Sequence, residues 1–443
     1  MKKILIFIGM INLLFANVFV DKDTQILNSL NIESNFINNP LLKEKYRYYK
    51  RYEKRYLINS LQNGFEYIPI LKSEIKSSFL PKEMFSVAMA ESYLNTKARS
   101  DVSAVGLWQF MPATAKRFGL RINDYVDERR DALKSTHAAI EYLKYLHGYL
   151  GKWYLAIMAY NAGEARVIEG VVRAKLDKLC RLNPKLKYSS KMRKYRKIVR
   201  EYQLHGARDY YKLYSLYKKL KNVKIDLNNL MRYQKGLKSQ YLPKETRDYI
   251  LKVLSISFLF ADMDLMEFTN RQLMKGKSTF TKVFVPAGTS LYYVSRLLNI
   301  KYSTLRRYNA QLKYSFTPPY RYYIYIPANR YEYFKMAFNP KNRKYVYIYR
   351  IKKGDTLRKI ANRFGVKVKI LTAYNRLGRF LHIGQKLFIP LNSKVINYRV
   401  KNGDSLGVIA RKFGISYKKI MAFNNLKSSF IKVGQLLKIP QRF

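Results

Sequence analysis

The sequence holds 29 acidic residues, and Glu91 is set apart from the others by what precedes it. Met84, Phe85, Val87, Ala88 and Met89 lead up to it as an apolar run. A carboxyl group at the end of such a helix meets an apolar wall, and burial disfavours its charged form and raises its pKa. A carboxyl that stays protonated near neutral pH can give a proton to a leaving oxygen and, once ionised, take one back. Glycoside chemistry with two carboxylates needs a second one nearby. No convincing partner is found: Asp101 follows Ser100 without a matching role, and Glu74 and Glu83 read as solvated helix charges. The histidines (His137, His147, His205, His382) form no HExxH pair, and the lone Cys180 excludes an internal disulfide and a cysteine metal site. No metal and no cofactor is expected.

Glu91 belongs to the first of four blocks. AESYLNTKARS carries Glu91, Ser92 and Ser100; VGLWQFMPATA carries Gly106, Trp108, Gln109 and Met111. AYNAGEARV carries Tyr160, Asn161 and Gly163, and LPKETRDYI carries Glu245, Thr246, Arg247 and Tyr249. The elements that must position them are helical. Pro81 reads as the first residue of the helix that leads to Glu91. Ser135 reads as the N-cap of a helix through Leu150, with Ala139, Leu143 and Leu146 on its apolar face. Lys152 to Tyr160 reads as a second apolar helix ending at Asn161-Ala162-Gly163, and Pro243 opens another from Lys244 to about Leu259.

Beyond about Lys282 the pattern changes to three repeats. They begin at Val283 (VFVPAGTSLYYVSRLLNI), Tyr349 (YRIKKGDTLRKIANRFGV) and Tyr398 (YRVKNGDSLGVIARKFGI), and close at Pro327, Pro390 and Pro440. The turn glycines Gly288, Gly354 and Gly403 are each followed by an asparagine at a constant offset of 21 residues: Asn309, Asn375 and Asn424. Glycine supplies the positive φ of such a turn, and Thr356 and Ser405 can cap the helix after it. Each copy reads strand–helix–helix–strand. The first diverges: Thr317-Pro318-Pro319 stands where the others have Gly-Gln.

The first residues read as an export signal: Lys2 and Lys3, then an apolar run from Ile4 to Phe15, with Ala16 near a plausible cleavage point. The segment is either removed or retained as an anchor reaching Val20, which would give membrane association. Formal net charge is +56 from 85 basic and 29 acidic residues, which favours an anionic partner. Export and the lack of any nucleic-acid motif argue against nucleic acid and leave the carboxylates of a wall polymer as the simplest partner.

The four blocks in this order resemble the catalytic domain of the soluble-type lytic transglycosylases. The repeats resemble LysM modules, and together they look most like the membrane-bound lytic murein transglycosylase D group. The resemblance runs from about Leu71 to Phe443. Its implied architecture is multidomain: an all-α, lysozyme-like (goose-type) catalytic domain followed by three small βααβ LysM-type modules. The expected boundaries are 1–20 signal peptide, 21–63 helical segment, 64–270 catalytic domain, and modules at 281–328, 345–391 and 397–441. Ser103 departs from the glycine usual at its position, and no lipobox cysteine follows the apolar run.

The resemblance implies a periplasmic or envelope enzyme that cuts the MurNAc-β-1,4-GlcNAc bond of peptidoglycan without water, leaving a 1,6-anhydro end, with Glu91 as acid and then base. Ser100, Gln109, Met111, Tyr160 and Asn161 are the implied substrate-binding residues. Ser92, Gly106, Gly163 and Glu245 are supporting, with Glu245 bonding Tyr160 or its helix, Arg247 paired in the core and Trp108 buried. The implied LysM glycan contacts are Gly354, Asp355, Thr356, Leu357 and Ile383, and Gly403, Asp404, Ser405, Leu406 and Val433. The alternatives are an ordinary muramidase and an inactive wall-binding scaffold; oligomeric state is open.

Overall fold

A computed structural model describes residues 21–234, 240–261, 280–340, 345–375, 377, 380–391 and 395–440. The expected signal segment lies outside them. No helix among the described residues is long and apolar enough to cross a membrane. The chain forms two compact units: one takes residues up to Leu120 and Ala132–Lys277, the other Arg121–Asp131 and everything from Ser278.

The first unit is helical: α1 (Asp21–Ser29), α2 (Pro40–Tyr48), α3 (Lys54–Gly64), α4 (Ile68–Ser77), α5 (Met84–Ser92), α6 (Pro112–Arg117), α7 (Ala132–Leu150), α8 (Trp153–Ala162), α9 (Glu164–Leu182), α10 (Ser190–His205), α11 (Tyr210–Lys219), α12 (Leu227–Met231) and α13 (Lys244–Ala261). Three of these make its core. α5 is buried at eight of its nine residues, and α8 is buried from Tyr154 to Ala159. A helix apolar on every side must be enclosed on every side. α8 packs on α7, α9 and α13, and α13 packs also on α2 and α5. The segment before Gly64 is thus part of this core, its second helix started by Asn39, whose side chain accepts from Leu41 N and Leu42 N ahead of Pro40.

Two helix starts differ from expectation. α5 begins at Met84, so Pro81 precedes it, with Pro81 O accepting from Met84 N. α7 begins at Ala132, so Ser135 lies buried in its first turn and caps nothing. Glu83 is also not solvated: it is 4% exposed and accepts from Ser29 Oγ at 2.9 Å.

In the second unit each repeat closes on a two-stranded antiparallel sheet. β1 (Phe280–Val285) pairs β2 (Tyr322–Pro327) around α14 (Leu291–Leu297) and α15 (Tyr302–Tyr308); α16 (Tyr331–Ala337) follows. β3 (Tyr345–Arg350) pairs β4 (Lys386–Leu391) around α17 (Leu357–Phe364) and α18 (Val368–Tyr374). β5 (Val395–Arg399) pairs β6 (Leu436–Pro440) around α19 (Leu406–Lys412) and α20 (Tyr417–Asn424). The constant asparagine explains the constant spacing. Asn375 Nδ2 donates to Leu371 O and Phe388 O, while its Oδ1 accepts from Phe388 N. Asn309 and Asn424 make the same three bonds to Leu305 and Tyr325, and to Ile420 and Lys438. Each amide saturates the end of a helix and the middle of the closing strand, both buried backbone that must be satisfied.

The divergent first repeat replaces one closure by another. Gly384 N donates to Ile351 O and Gly434 N to Val400 O, whereas Gly288 N donates to Pro318 O and Thr317 Oγ1 accepts from Thr289 N. Arg121–Asp131, inside the span expected for the catalytic domain, completes this repeat. Asp127 N donates to Gln311 O, and Lys313 N to Tyr125 O. Tyr322 Oη donates to Glu128 at 2.8 Å, and Tyr323 and Tyr325 to Asp131 at 2.6 and 3.0 Å, with both carboxylates wholly buried.

Gly170 on α9 meets the chain that enters α13: a Cβ there would lie 2.3 Å from Tyr241 O. That neighbour is backbone and cannot rotate away. Gly170→Ala should lower stability by on the order of 3 kcal/mol in denaturant titration, where an ordinary helical Gly→Ala would raise it.

Candidate active site

The four blocks are joined in a closed circuit of side-chain hydrogen bonds. Ser92 Oγ donates to Leu107 O at 2.7 Å, tying the first block to the second. Tyr160 Oη donates to Trp108 O at 2.8 Å, tying the third to the second. Thr246 Oγ1 donates to Asn161 Oδ1 at 3.1 Å, tying the fourth to the third. Tyr249 Oη donates to Glu91 Oε1 at 2.6 Å and closes the circuit.

Glu91 lies in the last turn of α5 and is half-buried as a residue, while its carboxyl is enclosed. Burial pushes its pKa up to about 7, opposed by the Tyr249 bond and the nearby Lys252 and reinforced by Glu245. Two aromatic hydroxyls share this environment. Tyr249 and Tyr160 are both held far above the ordinary phenol range, first by burial and then by the Glu91 charge. Both therefore stay protonated donors beside the carboxyl.

The chain around Glu91 is turned sharply. Tyr93 caps α5 in the left-handed region (φ 51°), and Leu94 repeats it (φ 60°). Leu94 presses on α3 where a Cβ at Gly64 would sit 2.8 Å from it. Ser103 has φ 70°, a conformation that glycine adopts without strain, which accounts physically for the glycine expected there. Ser100 Oγ accepts from Ala104 N, and Gln109, at φ 47°, donates from Nε2 to Gly106 O. Met111 is 43% exposed at the start of α6. Gly163 (φ 81°) ends α8 two residues after Asn161.

Three expectations are corrected here. Tyr160 bonds Trp108 O, and no bond from Glu245 reaches it; Glu245 acts on the site only through its charge on Glu91. Arg247 Nε is buried without a hydrogen-bond partner. Leu406, expected in a glycan groove, is 2% exposed and packs in the core of the last repeat, because it opens α19 on its inner face. The other repeat positions sit on the turns. Asp355 Oδ2 accepts from Tyr349 Oη and Lys352 N, Asp404 Oδ2 from Tyr398 Oη and Lys401 N, and Thr356 and Ser405 cap α17 and α19. Gly354 and Gly403 take φ 81°, Leu357 lies half-buried against the core, and Ile383 and Val433 are 70% and 67% exposed. Trp108 is buried and donates to Thr136 Oγ1.

The sequence reading missed Lys252. One turn beyond Tyr249 on α13, its Nζ donates to Ala90 O at 2.6 Å and lies 5.1 Å over the Tyr93 ring. Burial lowers its pKa, while the Glu91 charge opposes that. The i, i+3 spacing of Tyr249 and Lys252 was the available signal.

Comparison with known proteins accords with this geometry. Residues 68–177 match the Transglycosylase SLT domain family. The chain carries an SLT domain. Residues 349–390 and 398–440 match the LysM domain, and residues 279–340 match the LysM-like domain of lytic transglycosylase MltD. The chain is 25% identical over 381 residues to the membrane-bound lytic murein transglycosylase D of Escherichia coli K12, covering 80% of this chain and 70% of that one. It is 39% identical over 85 residues to the peptidoglycan transglycosylase gp16 of Escherichia phage T7, covering 18% of this chain and 6% of that one. A solved structure of an inactive mutant of the lytic transglycosylase Slt from Pseudomonas aeruginosa aligns at 18% identity and TM-score 0.25, over 56% of this chain and 38% of that chain. The SLT match holds three of the four blocks; α13, which supplies Tyr249 and Lys252, lies beyond it.

A carboxyl whose pKa rises on folding, from 4.5 to about 7, costs stability when both states are ionised. The cost is absent below the unfolded value, grows as pH rises through the window between the two, and is complete above the folded one. Glu91→Gln should therefore stabilise the protein by about 2–3 kcal/mol above that window, with the gain shrinking to nothing in acid. Thermal melts across the pH range check the sign; a gain independent of pH would refute the assignment of the shift to Glu91.

Proposed function

We propose that Glu91 is the single acid and base of a non-hydrolytic cleavage of peptidoglycan. The protein is a peptidoglycan lytic transglycosylase with LysM domains. The observation that carries the mechanistic reading is a carboxyl poised near neutrality and hydrogen-bonded to Tyr249, on a residue that is only half-buried. Protonated, it gives its proton to the glycosidic oxygen of the leaving N-acetylglucosamine as the C1–O bond breaks. The muramic-acid residue's own N-acetyl oxygen bonds to C1, the substrate-assisted exception to the two-carboxylate scheme. Glu91, now ionised and stabilised by Tyr249 and Lys252, takes the proton of that sugar's C6 hydroxyl. The C6 oxygen then forms its bond to C1 and expels the acetamido oxygen. The ring closes as a 1,6-anhydro end, no water is consumed, and Glu91 is protonated again.

Ser100, Gln109, Met111, Tyr160 and Asn161 line the approach to the carboxyl in this reading. Ser92, Gly106 and Gly163 shape the backbone behind it, and Glu245 adds its repulsion to the burial that holds the Glu91 pKa high. Substrate enters as glycan strands, with no cofactor or metal in the cycle. Three C-terminal modules hold the polymer in the cell envelope, through the turn residues Gly354–Thr356 and Gly403–Ser405 and the exposed Ile383 and Val433. Each module is weak, and tethering raises effective concentration so that avidity exceeds single-site affinity.

Glu91→Gln should bind sacculi like the wild type and release no soluble muropeptides; release at wild-type rate would remove Glu91 from the mechanism. Mass spectrometry of wild-type products should show ends lighter by one water than reducing ends. Reducing ends alone would make the protein a muramidase. Removal of Lys344–Phe443 should weaken sacculus binding by about tenfold or more while cleavage of short soluble glycans continues. An equal loss on both substrates would count against a targeting role.

A further inference from the structure

The first unit holds a cavity of about 930 Å³ to which none of the hydrogen-bond partners of Glu91 contributes. It opens between the turn from α7 to α8, the inner face of α9, and the run from Ser215 to Ile225. Six lysines line it: Lys152, Lys175, Lys218, Lys219, Lys221 and Lys224. Among the described lining residues only Glu33 is acidic; it is exposed, and its charge reaches Tyr154. Asp226 also acts on this wall through its charge on Tyr154, but its side chain is engaged in capping α12.

Cations that converge on one space repel one another, and the repulsion grows where water is excluded. Lys175 shows this strongly. It is 8% exposed, its Nζ donates to Leu220 O at 3.0 Å over the Tyr217 ring, and no carboxylate pairs with it among the described residues. Burial and the neighbouring Lys152 both press its pKa down. A second observation is independent of charge. Tyr154 is 1% exposed and lines the same cavity, with Lys152 Nζ 5.5 Å over its ring, yet its hydroxyl has no hydrogen-bond partner. Buried hydroxyls are ordinarily satisfied, and this one, on a residue that lines the cavity, is left without an acceptor. A wall of ammonium groups and a phenol offers donors, and the complement of such a wall is a group rich in anionic oxygens.

We propose that this cavity binds a multivalent oxyanion, phosphate- or carboxylate-bearing, at a site separate from Glu91. The general excess of lysine in this chain does not produce the orphaned hydroxyl or the buried ammonium that has no carboxylate partner among the described residues. Calorimetric titration of the full chain at fixed ionic strength tests it, with tripolyphosphate as the phosphate probe and tricarballylate as the carboxylate probe. One saturable site is expected for at least one probe, and the stronger probe identifies the source: phosphate esters or wall carboxylates. Lys152→Met combined with Lys221→Met should weaken it about tenfold. Tyr154→Phe, which keeps the ring and the packing, should weaken it about threefold or more with unchanged melting of the free protein. Lys185→Met combined with Lys187→Met removes the same charge outside the cavity and should change nothing. The proposal is overturned if neither probe saturates, if the cavity variants bind as the wild type does, or if the control pair loses as much as the cavity pair.

Discussion

The site depends on keeping one carboxyl dry without letting it lose its charge altogether. Burial alone would raise the Glu91 pKa further and leave less of it ionised near neutrality. Two groups on one face of α13 oppose that drift: the Tyr249 hydroxyl, bonded to the carboxyl, and the Lys252 ammonium, which also caps the end of α5 at Ala90 O. Lysine near a helix C-terminus is favoured by the helix dipole as well as by the carboxylate. The helix that closes the core thus sets the electrostatics of the site. Core and site cannot vary independently here, because Tyr249 and Lys252 stand on the helix whose other faces pack on α2, α5 and α8.

The second unit rests on a different device. Its three small sheets have two strands each, too few to be stable alone, and each is bound to its helices by one asparagine. The repeats then share cores: Phe316 stacks on Tyr374 and meets Phe388, and Phe423 packs into the cluster around Ile360 and Leu387. The first repeat is completed by Arg121–Asp131, a segment drawn from between α6 and α7. Glu128 and Asp131 find three tyrosine hydroxyls on β2, and the third buried carboxylate, Asp127, pairs with Arg129. The run Tyr322-Tyr323-Ile324-Tyr325 reads in sequence as a strand with aromatic alternation. Its need for acids from two hundred residues upstream is a tertiary fact that no local pattern announces.

Much of the rest was legible, and the reason differs from element to element. Glu91 could be read because its apolar run and the four-block order are local. The repeats could be read because a fixed Gly–Asn offset follows from a local hydrogen-bonding geometry. Pro81 and Ser135 misled because both residues are good helix starters: α5 starts three residues after Pro81, and α7 starts at Ala132, directly after the segment Arg121–Asp131 that belongs to the second unit. Glu83 looked like a surface charge because its partner, Ser29, lies on α1. Leu406 was assigned to a groove by analogy of position, yet the first residue of an amphipathic helix can face either way, and here it faces in. Lys252 escaped because a lysine among surface-like lysines carries no mark of burial in the sequence.

The residues around Glu91 also hold more backbone strain than the sequence suggests. Tyr93, Leu94, Ser103 and Gln109 all occupy the left-handed region without being glycine. Each such residue costs about 1–2 kcal/mol relative to a relaxed chain, so the loops joining the first two blocks are unfavourable when considered alone. They persist because the circuit from Ser92 to Leu107, Trp108 to Tyr160, Asn161 to Thr246 and Tyr249 to Glu91 over-determines them. The cost and the circuit serve one end. The left-handed turn at Tyr93 stops α5 just after Ser92, so that Glu91 stands in the last turn of the helix and keeps its bond to Tyr249.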